Sequence, residues 1–202
     1  MKILLATRNT KKLVELQRIL IDVALVGLAD VPAYEEVPES GLTFEENALI
    51  KAREGVARTG LPTVADDSGL TVDVLNGMPG VFSARWAGRH GDDSANLSLV
   101  LAQINDVPDE SRSASFVCAA ALVLPDGREW TVGGEMPGRL IRAPRGTGGF
   151  GYDPIFVADD ETRTNAELPP DEKDAISHRG KAFRALAGII TAELTDPSTA
   201  DT

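Results

Sequence analysis

Hydrophobic positions along the chain alternate between the spacing of a strand and that of a helix. The apolar run over residues 2–6 predicts a short buried strand. Leu13, Leu16 and Leu20 then have helical spacing within residues 11–20. We therefore predict that the protein opens with a strand, a turn and a helix.

The strongest helix signal lies in the segment TFEENALIKAREGVARTG, which begins at Thr43. Thr43 and Glu46 have the spacing of a capping box, and Gly60 followed by Pro62 is typical of a helix end. One face of the predicted helix carries four apolar residues, namely Phe44, Ala48, Ala52 and Val56. The pattern therefore predicts a helix that ends at Gly60.

Two adjacent carboxylates, Asp66 and Asp67, follow this helix in apolar surroundings. Residues 64–65 and 70–74 are predicted strands, and the residues between them are favoured in turns. Because successive strand residues point to opposite faces, one carboxylate can face a site while its neighbour serves the backbone. We predict that the pair lies at a strand end; a simple turn would explain the same residues.

The remaining pattern predicts helices between strands, together with one long hairpin. The predicted elements are a helix over 92–105, a hairpin over 113–134 that turns at 125–127, a helical turn after 169–170 and a last helix over 178–194. This order predicts an α/β fold with a mixed, elongated central sheet and flanking helices. We expect a single domain over 1–194 and a disordered tail over 195–202.

Composition narrows the partners that the protein can have. The 202 residues are 43% hydrophobic and carry a formal net charge of -11, which argues against the basic surface that nucleic acid or anionic lipid demands. Any phosphate ligand must therefore be held by local cations. A single cysteine, Cys118, excludes an internal disulfide framework, and no segment has the ~20 apolar residues of a membrane span. We expect a soluble cytoplasmic protein with no nucleic-acid or membrane partner.

The first strand-to-helix turn is a candidate phosphate site. In LLATRNTKKL it carries Thr7, Asn9 and Lys12 where free backbone N–H groups and the helix dipole favour an anion. The segment lacks the Walker pattern, and an ordinary capped helix with solvated lysines would contain the same residues.

Carboxylates near the second helix are candidate metal ligands. Magnesium prefers one or two carboxylates, with water and substrate phosphates completing its coordination. One of the two adjacent aspartates suits this role, and Glu35, Glu36 and Glu39 offer further carboxylates on the loop before the helix. Lys51, within that helix, either turns toward the same phosphates or extends into solvent.

Two further segments favour recognition of a flat ring. In RGTGGFGYDP the glycines allow close backbone approach, and Phe150 or Tyr152 can stack on a base, although structural glycines would look the same. In EKDAISHRGKAF, Lys173 adds charge, while His178 and Arg179 can donate hydrogen bonds to a carbonyl.

Taken together, these motifs resemble the inosine triphosphate / xanthosine triphosphate pyrophosphatase family. The resemblance runs from about residue 3 to residue 190. It rests on TRNTKK, GLTFEENALIKA, ADDSGL, GMPGVFSARWAG, GTGGFGYDPIF and EKDAISHRGKA, which occur in the family's order.

The resemblance implies magnesium-dependent hydrolysis of non-standard purine nucleoside triphosphates to the monophosphate and pyrophosphate. It also implies a homodimer whose subunits have two lobes around a central cleft. Asp67 would be the catalytic carboxylate and, with Glu39, a metal ligand; Glu36 is a substitute for Glu39 across a variable loop. The implied substrate-binding residues are Thr7, Arg8, Asn9, Lys12, Lys51, Ser68, Arg85, Phe150, Gly151, Tyr152, Asp153, Lys173, His178 and Arg179.

Arg8 departs from the family's pattern, since several members have glycine there. Two other functions stay open at this point. A nucleotide-binding regulator would use the same lysines and aromatic residues without turnover. A pyrophosphatase for pyrimidine or modified nucleotides would share the reaction type but not the FGYD and SHR segments.

Overall fold

The computed structural model describes residues 2–7, 24–35 and 37–195, which form a mixed α/β fold. Four α-helices occur in this part of the chain: α1 (Phe44–Thr59), α2 (Asp93–Gln103), α3 (Pro170–Ile176) and α4 (His178–Thr195). The strands within the same ranges are β1 (Ile3–Leu5), β2 (Leu25–Gly27), β3 (Thr63–Val72), β4 (Met78–Pro79), β5 (Ser113–Val123), β6 (Glu129–Leu140) and β7 (Phe156–Ala158).

These strands form a mixed sheet in the order β2-β1-β3-β5-β6-β7, with β4 paired to β3. The pairs β1–β2 and β1–β3 are parallel, whereas β3–β4 and β6–β7 are antiparallel. The predicted α/β class with a mixed central sheet and flanking helices is confirmed.

Helix α1 begins and ends where its caps predict. The hydroxyl of Thr43 accepts from the N–H of Glu46 at 3.1 Å, and Gly60 has a φ of 67° while its N–H donates to the Val56 carbonyl at 2.8 Å. In a capping box the Glu46 side chain would accept from the backbone N–H of Thr43, but here its partner is the preceding residue. The Glu46 carboxylate accepts from the N–H of Leu42 at 2.6 Å. The loop before the helix is thereby tied to its first turn.

Strand β3 corrects the prediction of a break at residues 66–69. It runs through ten residues without interruption, and nearly all of them are buried. Turn propensity predicted the break, but pairing with strands on both sides satisfies the backbone here and outweighs local preference. Asp66 and Asp67 therefore lie within a central strand and not at its end.

The other predicted elements differ less from the observed ones. The predicted hairpin is present as adjacent strands β5 and β6, but β6 continues to Leu140, beyond the predicted end at 134. The short strands β2, β4 and β7 were not predicted. The predicted helix over 11–20 and the tail from 196 lie outside the described residues.

The chain divides into two compact units, each of which has its own hydrophobic core. The first unit comprises 1–67, 118–134 and 179–202, and the second comprises 68–117 and 135–178. Strands β1, β3 and β5 and helix α4 supply the first core, whose buried side chains include Leu5, Leu122 and Phe183. The second core includes Val100, Met136 and Phe156.

No helix in the described ranges has the length and apolar character that crossing a membrane requires.

Two helical glycines provide a matched test of how closely α1 packs. A Cβ at Gly55 would lie 2.5 Å from Thr63 Cγ2, and Thr63 is held by a hydrogen bond from its hydroxyl to the Leu61 carbonyl at 3.0 Å. A Cβ at Gly188, in α4, would meet nothing within 4 Å. Helix α1 therefore has no room for a methyl group where it faces β3.

We expect opposite effects from the same substitution at these two positions. Gly188→Ala should stabilise the protein by about 0.5–1 kcal/mol through helix propensity. Gly55→Ala gains the same propensity but should destabilise by about 1 kcal/mol because overpacking costs more. Urea unfolding of both variants measures the difference. Equal stabilisation by both substitutions would contradict close packing of α1 on β3.

Candidate active site

Asp67 is held by two side chains from one face of α1. It is 6% exposed, and its Oδ2 accepts from Asn47 Nδ2 at 3.0 Å, while Lys51 Nζ lies 3.7 Å from its Oδ1. Asn47 and Lys51 are four residues apart, so they lie on the same side of the helix. The carboxylate is therefore fixed by an amide at one oxygen and by an ammonium near the other.

Lys51 lies beside both predicted metal ligands, Glu39 and Asp67. Its Nζ donates to Glu39 Oε1 at 2.9 Å, in addition to its proximity to Asp67. Burial alone would lower the pKa of Lys51, but the Asp67, Asp66 and Glu39 carboxylates together outweigh it and raise that pKa above 10.5. Lys51 therefore remains charged at neutral pH. Glu36 lies outside the described residues.

Asp66 has a different partner from its neighbour. Arg179 Nε, at the start of α4, lies 3.6 Å from Asp66 Oδ2, and both residues are buried. The alternation of strand side chains thus gives Asp67 to α1 and Asp66 to α4. The two carboxylates therefore have different partners, as the alternation of strand side chains predicted.

These contacts join five ionisable side chains into one cluster. Its ionisable members are Glu39, Lys51, Asp66, Asp67 and Arg179. The contacts described here bring three carboxylates and two cations together in a largely buried setting.

Asp153 organises the glycine-dense segment of the second unit. Its Oδ2 accepts from Lys173 Nζ at 2.7 Å and from the N–H of Phe150 at 2.8 Å, and its Oδ1 accepts from Asn165 Nδ2 at 3.2 Å. A Cβ at Gly149 would collide with the same carboxylate, so this position requires glycine. The segment and Lys173 are therefore tied to one buried side chain.

The two predicted stacking aromatics differ in exposure. Tyr152 is 4% exposed within the second core, and its hydroxyl donates to the Ser83 carbonyl at 2.8 Å. Burial, and to a lesser extent the Asp93 carboxylate, raise the pKa of Tyr152, which keeps this donor protonated. Phe150 is half-buried, and Lys173 Nζ lies 5.3 Å from its ring centroid. Phe150 is the better placed of the two to stack on a ligand.

His178 is a buried residue of the second unit. Its ring stacks on that of Phe116, with centroids 5.0 Å apart and an interplanar angle of 11°. Gly151, the residue after Phe150, is a second predicted pocket residue. Its backbone N–H donates to Asp93 Oδ2 at 3.0 Å. These contacts fix the backbone and ring positions of two predicted pocket residues.

Three further predicted residues are described and three are not. Thr7 follows β1, and its N–H donates to the Leu5 carbonyl at 3.0 Å. Ser68 is half-buried in β3, and the Arg85 guanidinium lies over the Phe82 ring at 5.3 Å. The predicted phosphate-site residues Arg8, Asn9 and Lys12 lie outside the described residues.

Two asparagines in these clusters were not predicted. Asn47 and Asn165 each donate to a carboxylate that the sequence had singled out. A signal for Asn47 exists, since it lies one turn before Lys51 on a predicted helix. Nothing in the local sequence around Asn165 indicates that it meets Asp153.

The inner strand carries buried carboxylates beside a charged lysine, groups that can hold a divalent cation and phosphate oxygens in an enzyme's active site. The chain belongs to the Ham1 family, whose model matches residues 3–189. The resemblance stated from the motifs is thereby confirmed.

Similar proteins cover nearly the whole chain. A dITP/XTP pyrophosphatase from Mycobacteroides abscessus is 63% identical over 195 residues, which cover 94% of this chain and 95% of the relative. One from Streptomyces coelicolor is 61% identical over 193 residues, with 94% and 96% covered.

Solved structures agree with this assignment. The crystal structure of the nucleoside-triphosphatase / dITP/XTP pyrophosphatase from Mycobacterium abscessus is 65% identical with a TM-score of 0.78, covering 92% of this chain and 98% of that one. A HAM1 protein from Coxiella burnetii is 44% identical with a TM-score of 0.85, covering 95% and 99%.

The raised pKa of Lys51 leads to a pH-dependent prediction. Lys51→Met leaves nearby carboxylates without their cation. We expect the free energy of unfolding to fall by about 3 kcal/mol, which is at the lower end of the range for breaking a buried ion pair. Because the folded pKa lies above 10.5, this stabilisation is fully present below about pH 10.5 and disappears as the pH rises through the folded value. The difference in free energy of unfolding between wild type and Lys51→Met should therefore be constant from about pH 7 to 10. It should become smaller above that range.

Denaturant unfolding across this pH range measures the difference. Arg58→Met is the control, since Arg58 pairs with Glu54 on the same helix but is exposed, and its loss should change stability little. Equal losses for the two variants, or a Lys51 difference that persists unchanged well above pH 10.5, would contradict the charge assignment.

Proposed function

We propose that this protein is a nucleoside-triphosphate pyrophosphatase that hydrolyses ITP, dITP and XTP to the monophosphate and pyrophosphate, and so removes non-standard purine nucleotides. One observation carries the proposal. The buried Asp67 carboxylate is fixed by Asn47 at one oxygen and lies with Glu39 beside the charged Lys51. The names of the similar proteins support the substrate class.

Asp67 is the proposed catalytic carboxylate. A carboxylate that is held in place can orient an attacking water and accept its proton without first reorganising. Thr7, Lys51 and the residues Arg8, Asn9 and Lys12 of the first turn would hold the triphosphate. Lys51 would also stabilise negative charge on the leaving pyrophosphate.

Magnesium is the proposed metal, and the residues fit it. Within the described ranges no three His, Cys, Asp or Glu side chains form a metal group, but magnesium needs only one or two carboxylates. Asp67 and Glu39 both lie within 3.7 Å of Lys51 Nζ, so two carboxylates of the chain are close to one another. When bound, the metal would neutralise phosphate charge.

Recognition of the base is proposed for the glycine-dense segment and for the pair His178 and Arg179. Phe150 would stack on the purine, with Gly151, Tyr152 and Asp153 shaping the segment that presents it. His178 and Arg179 would donate to the 6-oxo group of hypoxanthine or xanthine. Adenine has an amino donor at that position, so it would leave buried donors unpaired.

Further proposals concern roles and setting. Ser68, Arg85 and Lys173 are proposed to contact the nucleotide, and Lys173 would do so while it remains paired with Asp153. We also propose a cytoplasmic homodimer.

The decisive experiment incubates the purified protein with magnesium and inosine, xanthosine, adenosine or guanosine triphosphate. Pyrophosphate and orthophosphate are measured separately. We expect pyrophosphate from the inosine and xanthosine forms only. Orthophosphate as the product would contradict the reaction type, and nucleotide binding without any product would favour a regulator. Turnover confined to adenosine or guanosine triphosphate would contradict the substrate class.

Asp67→Asn tests the catalytic assignment in the same assay. The amide keeps the size and one acceptor but cannot take a proton, so kcat should fall by about 10²–10⁴-fold. Far-UV circular dichroism should remain that of the wild type. Turnover within a few-fold of wild type would remove Asp67 from the chemistry.

His178→Ala tests base recognition. The ratio of kcat/KM for ITP over ATP should fall at least about tenfold, because a donor to the 6-oxo group is lost. Phe116→Leu is the control, since it removes the ring that stacks on His178 but leaves the imidazole. An unchanged ITP to ATP ratio in His178→Ala would contradict the assigned donor.

A further inference from the structure

Asn47 connects the loop that carries Glu39 to the Asp67 carboxylate. Its Oδ1 accepts from the backbone N–H of Gly41 at 2.8 Å, and its Nδ2 donates to Asp67 Oδ2 at 3.0 Å. Gly41 lies two residues after Glu39 in sequence. One side chain thus contacts both parts of the chain that supply the candidate metal ligands.

The orientation of this amide is determined by its partners. The reverse orientation would place the Asn47 NH₂ against the N–H of Gly41 and its carbonyl oxygen against the Asp67 carboxylate. Asn47 is fully buried at 0% exposure, so bulk water cannot take over either bond. Both bonds therefore depend on an asparagine amide at this position.

The loop approaches Asn47 too closely for any side chain at residue 41. A Cβ at Gly41 would lie 2.7 Å from Asn47 Oδ1 and 2.7 Å from Glu46 Cβ. Glycine at 41 and asparagine at 47 therefore form one steric and hydrogen-bonding unit.

Lys51 completes a closed ring of contacts. It bonds to Glu39 and lies beside Asp67, while Asn47 bonds to Asp67 and to Gly41. Two side chains from successive turns of α1 therefore set the separation of the two carboxylates, one by charge and the other by a directional amide.

We propose that Asn47 is a positioning residue that holds the Asp67 carboxylate and the Glu39 loop in register for catalysis. This role rests on the proposed pyrophosphatase function. Asn47 acts through Asp67 and Gly41. Its removal should therefore affect the chemical step more than substrate affinity, because small displacements of reacting groups cost rate steeply.

The kinetic test uses Asn47→Leu, which keeps the size but removes the amide, and Asn47→Asp, which keeps an acceptor for Gly41 but opposes Asp67. Both should lower kcat for ITP by about 10–100-fold, with the aspartate variant the slower, and change KM by less than about threefold. A kcat within about twofold of wild type, or a raised KM with unchanged kcat, would overturn the proposal.

Ile190→Ala separates positioning from loss of stability. Ile190 is a buried residue in the hydrophobic core of the first unit and lies near the end of α4. Assayed well below its melting temperature, this variant should keep kcat within about twofold. A loss in Ile190→Ala as large as that in Asn47→Leu would mean that destabilisation alone lowers turnover.

A double variant tests whether residues 41 and 47 act as one unit. Gly41→Ala displaces the Asn47 amide, so it should lower kcat in the same way as Asn47→Leu. The combined variant should then be no slower than the slower single variant. Losses that multiply would overturn the linkage.

An activity-independent readout uses nuclear magnetic resonance of the protein without nucleotide. Asp67→Ala should shift the side-chain amide resonances of Asn47, and Asn47→Leu should speed hydrogen exchange at the Gly41 N–H. These results stand even if the wild type forms no pyrophosphate, in which case only the proposed function fails. Unchanged resonances and exchange would overturn the positioning role.

Discussion

Burial of two adjacent carboxylates inside a central strand is the constraint on which the first unit depends. An ionised carboxylate removed from water is strongly destabilising unless it is paired and hydrogen-bonded. Asp67 meets an amide and an ammonium from α1, and Asp66 meets the Arg179 guanidinium from α4. The helices that cover this strand therefore carry polar residues at defined positions as well as apolar ones. The groups that compensate the buried charge are also those that preorganise the proposed site.

Each unit contains a buried aspartate that is contacted by one asparagine and one lysine. Asp67 is contacted by Asn47 and Lys51, and Asp153 is contacted by Asn165 and Lys173. An asparagine amide supplies a directional bond to one carboxylate oxygen, whereas a lysine supplies charge with less demand on direction. The combination orients the carboxylate and keeps a cation beside it. Such preorganised polar groups need little rearrangement when a charged ligand binds.

The sequence predicted well those elements whose first and last residues are determined by neighbours in the sequence. Helix α1 is an example, because its cap at Thr43 and its stop at Gly60 depend on residues within a few positions. The break in β3 was wrong because the Asp-Ser-Gly preference for turns was outweighed by pairing with distant strands, which a single segment does not reveal. The pair Asp66 and Asp67 could be singled out by its apolar setting, and the family resemblance favoured Asp67 within it. Asn165 could not, because its partner Asp153 is known only once the chain is folded.

Paired lysines explain how a chain with a net charge of -11 can still suit a polyphosphate ligand. An unpaired buried ammonium would be costly in the absence of a ligand and would tend to lose its proton. Carboxylates beside Lys51 instead raise its pKa and keep it charged before any ligand arrives. The cost of placing a cation at the site is thus met during folding, without a basic surface. A simple anion gains little from a lysine that is already compensated, whereas a ligand that carries both a metal cation and phosphates can satisfy the carboxylates and the ammonium together. Charge compensation at the site therefore favours a metal-nucleotide ligand over free phosphate.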